Sequence, residues 1–258
     1  MNRKESAQRW CKGIGVEIGA FDKPTPGISP IYIDKAREFA GKPVPHIDYI
    51  GNAYSLPIVS NSLDYIVASH VIEHCANPVK ALAEFYRVTK PGGIIYIVVP
   101  DKIKTFDRNR PATPVDHMLE DFTNNVEDSD PTHIHDFIYG IDWETIYPDM
   151  PQSDYDHEKR DHYEHYIKAT SKGEPIDIHF HVFDKFNTID LAQILSSAGT
   201  LDLNWEVLDY RDDFPSEDPN GILLVLKKSP KNRTLNQASI ALQKLFRRNF
   251  PITTSQVE

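Results

Sequence analysis

The stretch GIGVEIGAFDKPTPGISPIYIDKA, residues 13 to 36, restricts the fold more than any other part of the chain. A short apolar strand bearing Ile14, Val16 and Ile18 runs into Gly19, and a second strand, IYI, ends on an acid, Asp34. Open α/β sheets use an acid so placed to hold the 2′ and 3′ hydroxyls of a ribose. The glycines that cradle a phosphate are missing. Gly13 and Gly15 precede the strand, only Gly19 lies at the turn, and Pro24, Pro26, Gly27 and Pro30 stand where a phosphate-binding helix begins. Proline has no backbone N–H and blocks the helix interior, so no ordinary helix follows directly. A dinucleotide site needs G-x-G-x-x-G opening a helix, and a P-loop needs G-K-[ST]; neither is present.

Strand signals continue with HIDYI (46–50), SLDYIVAS (62–69) and GGIIYIVVP (92–100). Such short, β-branched, nearly continuous apolar runs belong to strands buried on both faces of a parallel sheet. Between the last two, Asn77 and Pro78 open a helix whose stripe is Val79, Leu82, Ala83 and Tyr86, and Pro91-Gly92-Gly93 closes it. That is a right-handed βαβ crossover. Later come a helix with Leu191, Ile194, Leu195 and Ala198 on one face before Gly199, and two strands, 203–210 and 221–228. Residues 101–178 carry no strand signal and only patchy helix signals, of which 155–169, with Tyr155, His162, Tyr163 and Tyr166, is the clearest, so a large, mostly helical insertion is expected after the fifth strand. A structureless loop of that length is foreign to a compact domain, so 101–178 reads as a lid or substrate subdomain inserted after the fifth strand. The core is then 1–100 with 179–229.

The net charge is −10. Residues 101–178 hold 19 acids against 8 Lys and Arg, and the remainder is nearly neutral. No basic footprint for nucleic acid exists. No run of eighteen apolar residues suggests a membrane span, and the N-terminus has no apolar leader segment. Cys11 and Cys75 match no metal or redox spacing, which fits a reducing cytoplasm. The segment 230–258 reads as a basic amphipathic tail (Ile240, Leu242, Leu245, Phe246 beside Lys244, Arg247, Arg248) suited to self-docking or a homodimer.

S-adenosylmethionine fits a site with a ribose acid and no phosphate cradle. Its ammonium group suits an acid near the first turn, and Glu17 stands two residues before Gly19. A structural role for Glu17, as a buried strand-end acid, is the other reading. VEIGAF at the first strand, YIDKA at the second, GNAYSLPIVSNSLDYIVASHVIEH across the fourth and RVTKPGG before the fifth come in an order and spacing that resembles class I S-adenosylmethionine-dependent methyltransferases. The likeness is to the branch with VEIGA as first motif, over 13–100 closely and 181–228 loosely. It implies a Rossmann-like α/β sheet of seven strands, mostly parallel, with the last strand antiparallel. It also implies backbone contacts from Gly19 and Ala20 to the methionine portion, Asp34 on the ribose and Lys35 beside the adenine. Asn52 and Ala53 would meet the adenine edge, where the family more often has Asp before Ala, and Ser69 and His70 would line the amino-acid end. The reduced glycine motif and the lost helix are departures from the family pattern.

Methyl transfer from a sulfonium is an in-line displacement, served by alignment and, for a neutral hydroxyl or amine, by a base. After the fifth strand, TFDRNRPATPVDHMLEDF places Asp116 beside His117, and HFHVF supplies His179 and His181. Related enzymes of glycan and natural-product pathways show similar TFD…H and HVF stretches. His117 is the expected base, with Asp116 or His181 orienting it or contacting substrate. Asp130, His133, His135 and Asp136 crowd together without a specific ligand spacing, so no metal is expected. Arg108 and Arg110 could clamp an acidic substrate. The expected activity is methylation of a hydroxyl or amine on a small molecule such as a sugar or secondary metabolite. The alternatives are a non-catalytic relative that binds a partner, or a nicotinamide-dependent reductase or epimerase, for which Tyr86 and Lys90 supply Y-x-x-x-K.

Overall fold

The computed structural model describes residues 1–39, 41–198 and 201–230. The expected tail, 230–258, lies outside the described residues beyond its first position, as does the expected helix stop at Gly199. The chain opens with α1 (Arg3–Trp10), capped by Asn2 and Glu5 in a reciprocal box. Then come β1 (Gly15–Ile18), β2 (Ile31–Asp34), β3 (Tyr49–Ile50), β4 (Leu63–Ser69), α2 (Pro78–Val88) and β5 (Thr89–Pro100). A two-residue hairpin, Glu38–Phe39 with Lys42–Pro43, decorates the β2–β3 connection. The insertion holds α3 (Val115–Thr123), α4 (Ile134–Gly140), α5 (Trp143–Ile146) and α6 (Tyr155–Thr170). The chain returns through α7 (Lys185–Ala198), β6 (Trp205–Phe214) and β7 (Gly221–Lys228).

The described strands form a seven-stranded sheet in the order β3-β2-β1-β4-β5-β7-β6. Strands β1 to β5 pair in parallel, whereas β7 runs antiparallel to both β5 and β6. The strand order reverses between β1 and β4, which puts a crevice at their carboxyl ends. Alternation along the central strands feeds two separate cores. Ile66, Ala68, Ile95, Ile97, Val99, Ile222, Leu224 and Leu226 face α2 and α7. Tyr65, Val67, Tyr96, Val98, Leu223 and Val225 face Cys11 and Phe214.

Local chemistry explains the elements. Asn77 Oδ1 accepts from Lys80 N at 3.0 Å, an N-cap worth about 1 kcal/mol. At the other end of α2, buried Lys228 from β7 donates to Tyr86 O and Thr89 O at 2.7 and 2.8 Å, meeting the helix's unpaired carbonyls with a positive charge. Residues 19–30 form turns without helix, as the prolines require. The insertion is mostly helical, as its sequence suggested. Val115, Met118, Leu119 and Phe122 carry the helical period of α3, a signal the surrounding Pro, Asp and His obscured. Its other helices pack around a buried cluster of their own, including Ile134, Phe137, Ile138, Trp143, Ile176, Ile178 and Phe180. Among the described residues no helix is long and apolar enough to cross a membrane.

Candidate functional site

The carboxyl ends of β1 to β4 open on a cavity of about 870 Å³, at the upper end of the range for small-molecule sites. Gly19 turns the chain there at φ +63°, donating its N–H to Ile33 O at 2.9 Å. A Cβ at this position would stand 2.8 Å from Val71 Cγ2, so only glycine lets the backbone line the cavity undistorted. Ala20 follows it on the wall. Asp34 ends β2 half-buried, and this burial raises its carboxyl pKa against the lowering effect of the Lys35 and Ala36 backbone N–H groups. Lys35 lines the cavity and pairs with Asp177 of the insertion at 2.9 Å.

Asn52 and Ala53 border the cavity where β3 ends. Asn52 Oδ1 is used locally, accepting from Tyr54 N and Ser55 N at 3.0 and 2.9 Å, which leaves its amide N–H₂ for a ligand. Ser69 and His70 end β4, where His70 sits at φ +56°. Its Nδ1 faces Glu73 Oε1 at 3.4 Å, and Glu73 is fully buried with no other polar side-chain partner among the described contacts. His74 Nδ1 faces Asp177 Oδ1 at 3.1 Å, and the two acids beside it, Asp177 and Glu73, raise the imidazole's pKa despite burial. His74 and Asp177 also line the cavity.

Several lining residues were not found from the sequence. Arg3 of α1 donates from Nη2 to Ser69 Oγ at 3.1 Å and to Lys23 O at 3.3 Å, tying three segments together at one end of the cavity. Its backbone N–H meets Glu217 Oε1 at 2.9 Å, and Glu217 belongs to the β6–β7 loop that closes the same side. Tyr54 hydroxyl donates to Asp128, which also accepts from Ala76 N at 3.1 Å. Cys75 lines the cavity as well, but burial pushes its thiol pKa far up, so it is no nucleophile at neutral pH.

Glu17 stands elsewhere. It is buried, and its carboxylate accepts from Thr25 N at 3.0 Å and Thr25 Oγ1 at 2.6 Å. A strand residue's side chain points to a face of the sheet rather than past its end, and the proline loop supplied the partner. Glu17 therefore fixes the loop after β1. Nor do the expected catalytic residues line the cavity. Asp116 is spent on the first turn of α3, its Oδ1 accepting from His117 N at 3.1 Å without reaching the imidazole. His117, half-exposed, meets His133 and Asp121 instead. His181 is wholly buried, its Nε2 donating to Ala76 O at 3.1 Å, and desolvation presses its pKa down to about 3, so it is neutral. The spacing H-x-x-x-D, which sets His117 and Asp121 on one helix face, is the sequence signal of this grouping, and the pairing of His117 with Asp116 overlooks it.

Among the described residues, two sets of side chains bring His and acid atoms within 4.8 Å of one another: Glu73, His74 and His179, and His117, Asp121 and His133. In the first, His179 Nδ1 holds Asp107 at 2.5 Å, and its ring meets His74 edge-on. Asp107 is itself gripped by buried Arg110, which also binds Asp136. Arg108 pairs with Asp142 at 3.0 Å, so neither arginine is presented to the cavity as a clamp. The sequence crowd of Asp130, His133, His135 and Asp136 is dispersed: Asp130 accepts from Glu127 N, and His135 packs on Tyr139. Tyr86 and Lys90 do not form a catalytic pair. Tyr86 lies in the core under Lys228, and Lys90 binds Asp64 at 2.9 Å.

Comparison with known proteins finds partial likenesses. The family described as "Methyltransferase domain" matches residues 27–97. Demethylmenaquinone methyltransferase of Renibacterium salmoninarum is 46% identical over 54 residues, 20% of this chain and 23% of that protein. Malonyl-[acyl-carrier protein] O-methyltransferase of Serratia marcescens is 34% identical over 87 residues, 34% of this chain and 31% of that one. The match thus spans less than a third of either relative. Among solved structures, a Thermotoga maritima protein described as a SAM-dependent methyltransferase, possible histamine N-methyltransferase, aligns over 88% of both chains at 15% identity and TM-score 0.45.

Proposed function

We propose that this chain is a class I S-adenosylmethionine-dependent methyltransferase that methylates a hydroxyl or amine of a small molecule in the cavity above β1 to β4, a reading supported by its strand order and by the domain match over residues 27–97. The observation that carries the reading is a ribose-type acid, Asp34, facing the same cavity as the Gly19 turn and Asn52, with no helix after β1 to bind a phosphate. The residues fit that cofactor. A backbone stretch free of Cβ at Gly19 would admit its methionine portion, Asp34 would accept from its ribose hydroxyls, and the Asn52 amide with Ala53 would meet its adenine edge. Arg3, beside Ser69, is placed to pair with its carboxylate. Bound there, the cofactor supplies an electrophilic methyl on a sulfonium.

The chain's own groups then position and deprotonate the acceptor. Six acids (Asp22, Asp34, Asp128, Asp177, Glu217, Asp218) line the cavity against Arg3, Lys23 and Lys35. This balance favours a cationic cofactor and a neutral or cationic acceptor over an acidic one. His70 is the proposed base. It lines the cavity and its Nδ1 stands 3.4 Å from buried Glu73, so this imidazole would be the group that takes a proton from the acceptor. His117, expected from its place in the sequence, does not line the cavity.

Calorimetric titration with S-adenosylhomocysteine, with NADH as control, tests the cofactor. Micromolar binding of the first alone is expected. Asp34→Ala should weaken it by about 1–3 kcal/mol, the cost of hydrogen bonds to a charged group. An Asp34→Ala protein with native circular dichroism and undiminished affinity would remove the site from this cavity.

A further inference from the structure

A buried carboxylate oxygen with several imidazole nitrogens around it and no hydrogen-bond donor needs an explanation. Asp121 Oδ2 is such an atom: it is buried and lacks a hydrogen-bond partner. His133 Nε2 stands 3.4 Å from it, His117 Nε2 3.5 Å and His181 Nε2 3.6 Å. The two nitrogens of His117 and His133 lie 3.2 Å apart. Two imidazolium groups at that separation repel strongly, and a lone proton between two nitrogens leaves the buried carboxylate uncompensated. A divalent cation between the three atoms satisfies all of them together.

The distances fit a particular coordination. A triangle with sides of 3.2, 3.4 and 3.5 Å has its centre about 2 Å from each corner, the length of a zinc–nitrogen or zinc–oxygen bond. Bonds of about 2.0–2.1 Å at tetrahedral angles separate ligand atoms by about 3.3–3.4 Å, whereas octahedral angles bring them to about 2.9 Å. The observed spacing is tetrahedral. Support around the ligands is of the expected kind: Thr132 Oγ1 stands 2.9 Å from His133 Nδ1, which leaves that ring's Nε2 lone pair for a metal. His117 and Asp121 come from one face of α3, one helical turn apart. His181 donates to Ala76 O, so it borders the site, and the half-exposed His117 side leaves the fourth corner to water.

We propose that His117, Asp121 and His133 bind one Zn²⁺ ion outside the methyl-transfer cavity. The ion pins the end of α3 to the segment before α4. Between them lies the loop that carries Asp128 into the cavity wall, held by Val126 N donating to Asp121 O at 2.9 Å. Asn77, the cap of α2, donates to the same carbonyl at 3.3 Å, so the site joins the insertion to the core.

Metal analysis of the full chain, purified from zinc-supplemented cells without a metal-affinity tag, tests this. About one zinc per chain is expected. After stripping with chelator, Co²⁺ should restore the intense visible bands of a tetrahedral ion. His117→Ala, on an exposed position with little risk to folding, should lower Zn²⁺ affinity at least about tenfold, and His133→Ala should abolish binding. A natively folded chain that takes up neither Zn²⁺ nor Co²⁺ at micromolar concentration overturns the proposal. Equal Zn²⁺ affinity in His117→Ala and the unchanged protein overturns it too. None of these readouts depends on cofactor or acceptor.

Discussion

Two clusters of histidine and acid lie one residue layer apart, separated by the turn Cys75–Asn77. His70, Glu73, His74 and Asp177 lie on the cavity side. His117, Asp121, His133 and His181 lie behind it, where His181 grips Ala76 O. Their compositions are nearly the same: two rings and two carboxylates in the first, three rings around one carboxylate in the second. What differs is access. His70, His74 and Asp177 of the first group line an 870 Å³ cavity, whereas the rings of the second close on the buried carboxylate of Asp121. Residue type sets what a group can do chemically; the strand order decides whether a substrate can reach it.

The comparison breaks first at His70. Removing a general base costs about 10²–10⁴ in turnover. His70→Ala should lose that much in kcat while S-adenosylhomocysteine affinity changes less than about tenfold, measured by steady-state assay once an acceptor is in hand and by calorimetry. His117→Ala should act mainly through zinc retention and thermal stability, with a much smaller loss of turnover in zinc-loaded protein. If His117→Ala loses more turnover than His70→Ala, the two clusters have been assigned the wrong way round.

A second effect belongs to stability. Arg110 is fully buried and holds Asp107 at 2.6 Å and Asp136 at 2.6 Å, while Asp107 holds His179. The Asp107 carboxyl pKa is pulled below its usual range by His179 and Arg110, against burial. Arg110→Ala strands a buried carboxylate, so a destabilisation of about 3–5 kcal/mol is expected by urea unfolding. Arg108→Ala, whose partner Asp142 is nearer the surface, should cost under about 1 kcal/mol. Comparable losses from both would show that the TFD segment is not a buried anchor for the cavity-side cluster.

Much of this was legible in the sequence, and the boundary has a physical cause. The strands, α2 and the ends of β1, β2, β3 and β4 are local: their apolar period, caps and turn glycine act over a few residues. That is why Gly19, Asp34, Asn52, Ser69 and His70 were found in the wall where they lie. Arg3, Asp128 and Asp177 reach the cavity from distant segments, and Asp177 meets Lys35 across 142 residues of chain. No local period records such a meeting. His117 was singled out because it follows the fifth strand closely and Asp116 adjoins it. Neighbours in sequence on a helix point about 100° apart, so Asp116 could not orient that ring, and Asp121, one turn on, could.

The smallest effect sharpens the comparison by pH. His74 has its pKa raised by Asp177 and Glu73, and Asp177 has its own lowered by His74 and Lys35, each working against burial. A raised histidine pKa means the folded state holds the proton more tightly than the unfolded chain. Its contribution is therefore full below the unfolded value of about 6.5 and fades as pH rises through the folded value. The lowered Asp177 pKa contributes above about 3.9, its unfolded value, and fades as pH falls through the folded one. The pair is thus strongest between roughly pH 4 and 6.5. Urea midpoints of the unchanged protein and His74→Asn should differ most in that window and converge as pH rises towards 9. His181 runs the other way: with its pKa pressed down to about 3, the folded chain resists a proton that the unfolded chain accepts, so His181 costs stability as pH falls below about 6.5. A difference between the two proteins that grew with pH would mean that His74 is neutral in its pairing with Asp177, and the cavity-side cluster would lose the charge that separates it from the one behind.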